Sequence, residues 1–108
     1  MTDADWLDAG PLSDFPDGAL REVTLGKLRL AVSHRDGRFG AISGACNHVG
    51  GPLGQGRLEG DFVVCPWHYW KFDRLDGRGE PGFEDDRVPS HPVRIADGRL
   101  WVAREPAT

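Results

Sequence analysis

The sequence has few of the features that would place it in a membrane, on a secretory route or on nucleic acid. No segment reaches the roughly 18 consecutive apolar residues that a membrane-spanning helix needs. The N-terminus, Met1-Thr2-Asp3-Ala4-Asp5, is acidic, whereas a secretory signal begins with basic and then apolar residues. The formal net charge of -4 disfavours nucleic acid and anionic membranes as partners, because both bind basic patches. We therefore expect a cytoplasmic protein.

Amphipathic helical patterns, internal repeats and low-complexity tracts are also missing. A chain of 108 residues suits one domain that can bury a core without disulfides, so we expect a single domain over residues 1–108. We therefore expect no second, catalytic domain. There are only two cysteines, and both lie in the motifs described below.

Period-two alternation is the main secondary-structure signal. The segment 27–33 has one apolar and one polar face, which predicts a half-buried strand. The apolar face holds Leu28, Leu30 and Val32, and the polar face holds Lys27, Arg29 and Ser33. The whole chain predicts an all-β fold of antiparallel sheets. Strands are expected near 4–9, 20–25, 27–33, 38–43, 57–59, 61–64, 71–74, 92–96 and 99–104.

Four Asp-Gly pairs separate these runs, at 17–18, 36–37, 76–77 and 97–98. Both residue types tolerate positive φ, so the pairs predict tight hairpin turns. Glycine and proline concentrate in 50–60 and 77–92, which are longer than ordinary hairpin loops. Functional residues are often found on such loops.

Two short segments each carry one thiol and one imidazole: Cys46-Asn47-His48, the first box, and Cys65-Pro66-Trp67-His68, the second box. Sixteen residues separate them. Structural zinc sites usually group like ligands, whereas each half here is mixed. Mixed halves favour a two-iron cluster with thiolates on one iron and imidazoles on the other, because each loop then reaches both metals. A zinc site remains the alternative.

These boxes resemble those of the Rieske family, which read Cys-x-His and Cys-x-x-His. Residues 48–53 are similar to the family's first cluster loop and residues 65–73 to its second. The resemblance implies a Rieske domain of antiparallel sheets with a small cluster-binding subdomain at approximately 45–73. It also implies one 2Fe-2S cluster. Its ligands would be Cys46, His48, Cys65 and His68.

The segment 79–89 is similar to the proline-bearing third loop that covers the cluster in Rieske proteins. An acidic, solvated loop is the alternative interpretation.

Several positions depart from patterns within the family. In high-potential Rieske subunits, a serine and a tyrosine donate hydroxyl hydrogen bonds to the cluster and its ligand sulfur. This chain has Trp70 and Phe72 at the matching positions, and neither side chain has a hydroxyl group. We therefore expect a reduction potential of about -150 mV, at the low end of the range for Rieske centres. Those subunits also have a disulfide at the positions of Gly51 and Trp67. Tyr69 stands where the family usually has glycine, so a positive φ there would strain it.

For several residues outside the predicted ligand set, we expect structural roles. His34 and His91 lie far from both boxes in sequence and are interpreted as solvated turn histidines. Pro66, Leu53 and Phe72 are expected to form an apolar wall beside the cluster. Trp67 could either shield the cluster or contact a partner.

The resemblance to dioxygenase-system ferredoxins implies an electron carrier, not an enzyme. The expected partners are a flavin-dependent ferredoxin reductase and a terminal oxygenase. One alternative is a small Rieske-like subunit of a nitrite reductase or another multicomponent oxidoreductase. A second alternative is a zinc-stabilised binding module without redox function.

Overall fold

The computed structural model describes residues 5–45, 51–67 and 69–107, and these residues form antiparallel β-sheets. The strands are β1 (Trp6–Pro11), β2 (Leu20–Leu25), β3 (Leu28–Arg35), β4 (Arg38–Ser43), β5 (Arg57–Glu59), β6 (Phe62–Val64), β7 (Lys71–Asp73), β8 (Ser90–His91), β9 (Val93–Ala96) and β10 (Arg99–Ala103). Short 3-10 turns cover Leu12–Asp14 and Leu53–Gln55. No helix in this part of the chain is long and apolar enough to cross a membrane.

In the described residues the strands form three sheets: β1-β10-β9, the central sheet β2-β3-β4-β8, and the small third sheet β5-β6-β7. The all-β prediction is confirmed, and each of the nine predicted strands is present with boundaries shifted by at most two residues. The strand β8 was not predicted. Its two residues are too few to show a period, and it exists because it pairs with the edge of β4 through Ala41 and His91.

Two hydrophobic clusters lie on opposite faces of β3. On one face, Leu30 and Val32 pack with Leu100 and Val102 of β10. On the other face, Ala31 belongs to a cluster formed largely by the small third sheet and its loops. That second cluster contains Ile42, Leu53, Val63, Cys65, Phe72 and Val88.

This arrangement corrects the prediction of a half-buried strand at 27–33. Ala31 and Ser33, on the face expected to be exposed, are both buried. The reason is that the third sheet covers the second face of β3, and alternation within one strand gives no information on that packing. The small sheet that carries the second box therefore lies directly on the central sheet.

Two of the four Asp-Gly pairs form the predicted hairpin turns. Asp36-Gly37 joins β3 to β4 and Asp97-Gly98 joins β9 to β10, and φ is positive at all four residues. Both conformations fit a type I′ turn, which matches the twist of the strands. The prediction for 17–18 was wrong, because the strands on either side, β1 and β2, are not paired. The pair 76–77 lies in a wider turn that brings Gly79 back against Phe72 of β7 in an antiparallel bridge.

Candidate functional site

The second box lies in the loop that joins β6 to β7. The Cys65 backbone N–H donates to the Trp70 carbonyl oxygen at 2.7 Å, which continues the strand pairing by one residue pair. The Tyr69 N–H donates to the Cys65 carbonyl oxygen at 2.9 Å and closes the loop. His68, a predicted ligand, lies outside the described residues. Cys65 is therefore anchored at the end of a hairpin, where the strand geometry fixes its position.

The residues that flank the first box form a second anchored pair. Ala45 and Pro52 form an isolated antiparallel bridge. The Leu53 N–H donates to the Gly44 carbonyl oxygen at 2.9 Å, and Gly44 in turn donates to the Arg29 carbonyl oxygen at 2.8 Å. The predicted ligands Cys46 and His48 lie outside the described residues. Both ends of this segment are thus attached to β3.

Gly51, which follows the first box in sequence, lies against the Cys65 thiol of the second box. A Cβ atom placed on Gly51 would lie 2.8 Å from the Cys65 Sγ and 3.3 Å from the Trp67 indole. A separation of 2.8 Å is too short for a non-bonded carbon and sulfur, so a side chain at position 51 would displace the sulfur or the loop. The absence of a side chain here therefore allows the first loop to approach the second.

The environment of Cys65 suits an iron-sulfur ligand. Its side chain is fully buried, and among the described residues it is a free thiol. Leu53 and Phe72 are fully buried in the same hydrophobic cluster as Cys65, as predicted for an apolar wall. Pro66 is exposed, so the prediction for this residue was wrong. Apolar walls of this kind exclude water and tune the potential of a metal centre. A free, buried thiol in apolar surroundings is a suitable donor for an iron-sulfur cluster.

The full ligand set stays a prediction. In the ranges 5–45, 51–67 and 69–107, no group of three or more histidine, cysteine, aspartate or glutamate side chains could hold a metal ion. Cys46, His48 and His68 lie outside these ranges, so Cys65 is the one predicted ligand whose surroundings can be described. Its position next to Gly51 is consistent with ligands from both boxes.

Tyr69 adopts the strained conformation that the sequence raised as a possibility. Its φ is 63°, in the left-handed region that glycine prefers. The two hydrogen bonds between Cys65 and the residues 69–70 enforce this conformation. The side chain itself is exposed. A bulky aromatic residue is thus kept at a costly backbone position without being buried.

A small cleft lies beside the second box. It has a volume of about 250 Å³ and is lined by Tyr69, Trp70, Lys71, Glu80 and Phe83. The Trp70 and Phe83 rings meet edge to face, with centroids 5.9 Å apart. The segment expected to be a third cluster loop therefore lies against the residues that follow the second box. Whether it also covers a cluster remains a prediction.

Lys71, at one wall of this cleft, is engaged in an ion pair. Its Nζ lies 2.7 Å from Glu59 Oε1. The hydrogen bond from Lys71 is the main reason that the pKa of Glu59 lies below its usual range, and the same bond raises the pKa of Lys71. The positive charge of Lys71 is therefore compensated within the protein.

Two histidines were interpreted incorrectly. His91 is buried in β8, and its Nδ1 lies 2.9 Å from the Ala103 carbonyl oxygen. His34 is half-buried in β3, stacks on Phe39 and places Nδ1 2.7 Å from the Phe15 carbonyl oxygen. Neither is a solvated turn residue, because β3 extends beyond its predicted end to include His34, and His91 lies in the unpredicted strand β8. Both side chains serve packing between elements.

Sequence reasoning also missed Arg74, which connects the small sheet to the central one. It directly follows β7, its side chain is 2% exposed, and it donates to the carbonyl oxygens of Arg35 and Arg38. A signal was present: alternation from the buried Phe72 puts residue 74 on the same, inward face. The charge of arginine argued against that inference.

Comparison with known proteins supplies further findings. The family description "Rieske [2Fe-2S] domain" matches residues 5–92. The chain is 30% identical over 97 residues to the ferredoxin component of the naphthalene 1,2-dioxygenase system of Pseudomonas aeruginosa, covering 90% of this chain and 93% of that protein. It is 32% identical over 108 residues to a probable 3-ketosteroid-9-alpha-monooxygenase, oxygenase component, of Rhodococcus rhodochrous. There the match covers 94% of this chain but 27% of the relative.

Among solved structures, the chain is similar to one from a complex of reduced oxygenase and oxidized ferredoxin in carbazole 1,9a-dioxygenase. The TM-score is 0.86 with 28% identity, and the match covers 96% of this chain and 97% of the other.

Proposed function

Because the chain belongs to the Rieske [2Fe-2S] domain family, we propose that it is a ferredoxin that carries single electrons from a flavin-dependent reductase to a terminal oxygenase. When bound, a 2Fe-2S cluster supplies a one-electron redox couple at a potential set by its ligands and surroundings. The proposed ligands are the thiolates of Cys46 and Cys65 on one iron and the imidazoles of His48 and His68 on the other.

One structural observation carries the proposal: the fully buried Cys65 thiol faces the bare backbone of Gly51, which follows the first box in sequence. The protein then contributes three things. The hairpin fixes the thiol, Leu53 and Phe72 exclude water from it, and Gly51 lets the first loop approach.

The comparisons favour a carrier over an oxygenase. The match spans 93% of a ferredoxin component but 27% of an oxygenase component, so this chain corresponds to the whole of the former and a fraction of the latter. A Rieske domain also occurs within proteins of the second kind, and the proposal therefore needs a test of electron delivery.

The test starts from freshly purified protein. We expect visible absorption typical of an iron-sulfur cluster, an electron paramagnetic resonance signal on one-electron reduction, and stoichiometric iron and sulfide. Reduced protein should then deliver one electron per molecule to a purified terminal oxygenase. A colourless protein containing zinc would contradict the proposal. Stable co-purification with a large reductase would instead favour the subunit role.

A further inference from the structure

Exposed aromatic side chains are concentrated at the end of the molecule that carries the second box. Within the described residues, four large hydrophobic side chains are exposed. Trp67 (61%) and Tyr69 (66%) flank His68 in the sequence, Phe83 (52%) lies across the cleft, and Ile95 (53%) lies in β9 of another sheet. Grouped exposed apolar residues usually mark an interaction surface.

From this arrangement we propose that the cleft between Tyr69 and Phe83 is a docking site for a redox partner that inserts one apolar group ringed by Arg and Lys side chains. The inference rests on the proposed function, because it names the surface through which electrons would leave or enter. The cleft is small: 250 Å³ accommodates one side chain or the edge of one cofactor, and it falls below the usual volume of a small-molecule site.

The conformation of Tyr69 supports a role in binding. Its backbone is in the left-handed region, where glycine would be free of strain. Its ring is largely exposed, so burial within the free protein offsets little of that strain. An aromatic side chain that gains little in the free protein is expected to gain its contacts when a partner covers it.

The opposite wall of the cleft is already ordered without a partner. The Glu80 N–H donates to the Lys71 carbonyl oxygen at 3.2 Å, and the Phe83 N–H donates to the Glu80 carbonyl oxygen at 2.8 Å. Phe83 also packs edge to face on Trp70. A preformed cleft lowers the entropic cost of binding, because fewer side chains must be fixed on association.

Charge identifies the kind of partner. Glu80 lines the cleft, and three further carboxylates, Glu84, Asp85 and Asp86, directly follow Phe83 in the sequence, with no basic residue in the segment 80–86. The one lysine that lines the cleft is paired with Glu59. An apolar cleft with an acidic margin complements a basic surface around an apolar group, and such charges accelerate association and select partners.

The test measures binding directly, with both proteins oxidised, by isothermal titration calorimetry of the cluster-loaded protein with a basic cytochrome c at low ionic strength. We expect measurable binding by the wild type. Tyr69→Gly and Phe83→Ala should each bind roughly fivefold more weakly or worse, because a residue central to an interface typically contributes that much. Ile95→Ala removes an equally exposed apolar side chain elsewhere and should change the affinity less than twofold.

A further variant tests the acidic margin. Asp85→Asn should weaken binding at low salt, and the difference from wild type should disappear at high salt, because exposed charges are screened. Visible spectra of all variants must match the wild type, so that a change near the second box is not mistaken for lost docking.

Three results would overturn the proposal: no binding by the wild type at low salt, equal affinities for wild type, Tyr69→Gly and Phe83→Ala, or an equal loss in Ile95→Ala. These outcomes are distinct from failure of the proposed function. A protein without a reducible cluster refutes electron transfer, whereas a coloured, reducible protein whose variants all bind alike refutes only the cleft.

Discussion

Replacing Arg74 with alanine should destabilise the protein more than any exposed arginine substitution. The Arg74 Nη1 donates to the Arg38 carbonyl oxygen at 2.9 Å, and Nη2 donates to the Arg35 carbonyl oxygen at 3.2 Å. A hydrogen bond from a charged donor contributes about 1.5–3 kcal/mol. Because Arg38 is exposed and Arg35 half-buried, water can partly replace the donors, and the lower end applies. Two such bonds then total about 3 kcal/mol.

The ion pair with Asp61 adds little to this figure. Arg74 Nε lies 3.4 Å from Asp61 Oδ1, and the Asp61 side chain is 54% exposed, so solvent screens the attraction. The hydrogen bond from Arg35 is the main cause that lowers the pKa of Asp61. Because the pKa of Asp61 is lower in the folded protein, its ionised carboxylate stabilises the fold above a pH of about 4. This contribution is lost as the pH falls through the lowered pKa. Measurements at pH 7 keep the pair intact.

The assay is thermal and guanidinium unfolding of cluster-loaded protein, followed by circular dichroism. We expect Arg74→Ala to lower the Tm by about 10–20 °C, which corresponds to about 3 kcal/mol in a domain of this size. The matched control is Arg99→Ala, because the Arg99 side chain is 43% exposed and paired with the solvent-accessible Asp8 at 2.8 Å, so its removal should change the Tm little. If the two variants differ by less than about 1 kcal/mol, Arg74 does not tie the sheets together and the reasoning fails.

Three further predictions concern the boxes. Gly51→Ala should yield protein with little cluster absorbance, because the new Cβ would lie 2.8 Å from the Cys65 sulfur, and full absorbance would contradict the contact. Cys65→Ala and His48→Ala should each abolish cluster assembly and lower the Tm, since bound metal contributes to folding, and iron analysis would detect any retained cluster. The wild-type reduction potential should be about -150 mV by protein-film voltammetry. Phe72→Tyr should raise this potential, because the new hydroxyl can donate a hydrogen bond to the site. An unchanged or lower potential in this variant would refute the effect of the missing hydroxyl.

Strand positions were predictable because local alternation and turn residues agree with the final sheets. The strands β2 and β4 match the sequence prediction at both ends. Alternation determines which residues share a face, but not how many faces a neighbouring sheet covers. Ser33 illustrates the difference: its polarity and position predicted exposure, and the third sheet buries it.

Arg74 shows why buried polar residues escape sequence analysis. A charged side chain is rarely fully buried unless it is paired, so its type argued for exposure. The acceptors that allow its burial are backbone carbonyls of Arg35 and Arg38, nearly forty residues away in the chain. Every residue has a backbone carbonyl, so the sequence does not show which carbonyls will accept hydrogen bonds from Arg74. Gly40 is a second signal beside the alternation from Phe72, since a Cβ there would clash with the Arg74 carbonyl oxygen.

The sequence predicts which residues would form the candidate site, but it does not predict the contacts around it. The spacing of cysteine and histidine identified two boxes, whereas the cleft depends on how Phe83 meets Trp70 across the fold. The same limit applies to Tyr69. The sequence raised strain as a possibility, and only the backbone hydrogen bonds of the loop establish that φ is positive.

The contact of Gly51 with the second box offers a way to hold the two loops together without a cross-linking disulfide. Gly51 and Trp67, the positions that match the bridging cysteines of high-potential Rieske subunits, face each other: a Cβ on Gly51 would lie 3.3 Å from the indole. Packing therefore takes the place of a covalent bond between the loops. Packing holds only while both loops are fixed at their bases. The first is anchored through Gly44 on Arg29, and the second through its hairpin, whose far end Arg74 attaches to the central sheet. The stability of the cluster site should consequently depend on residues remote from it.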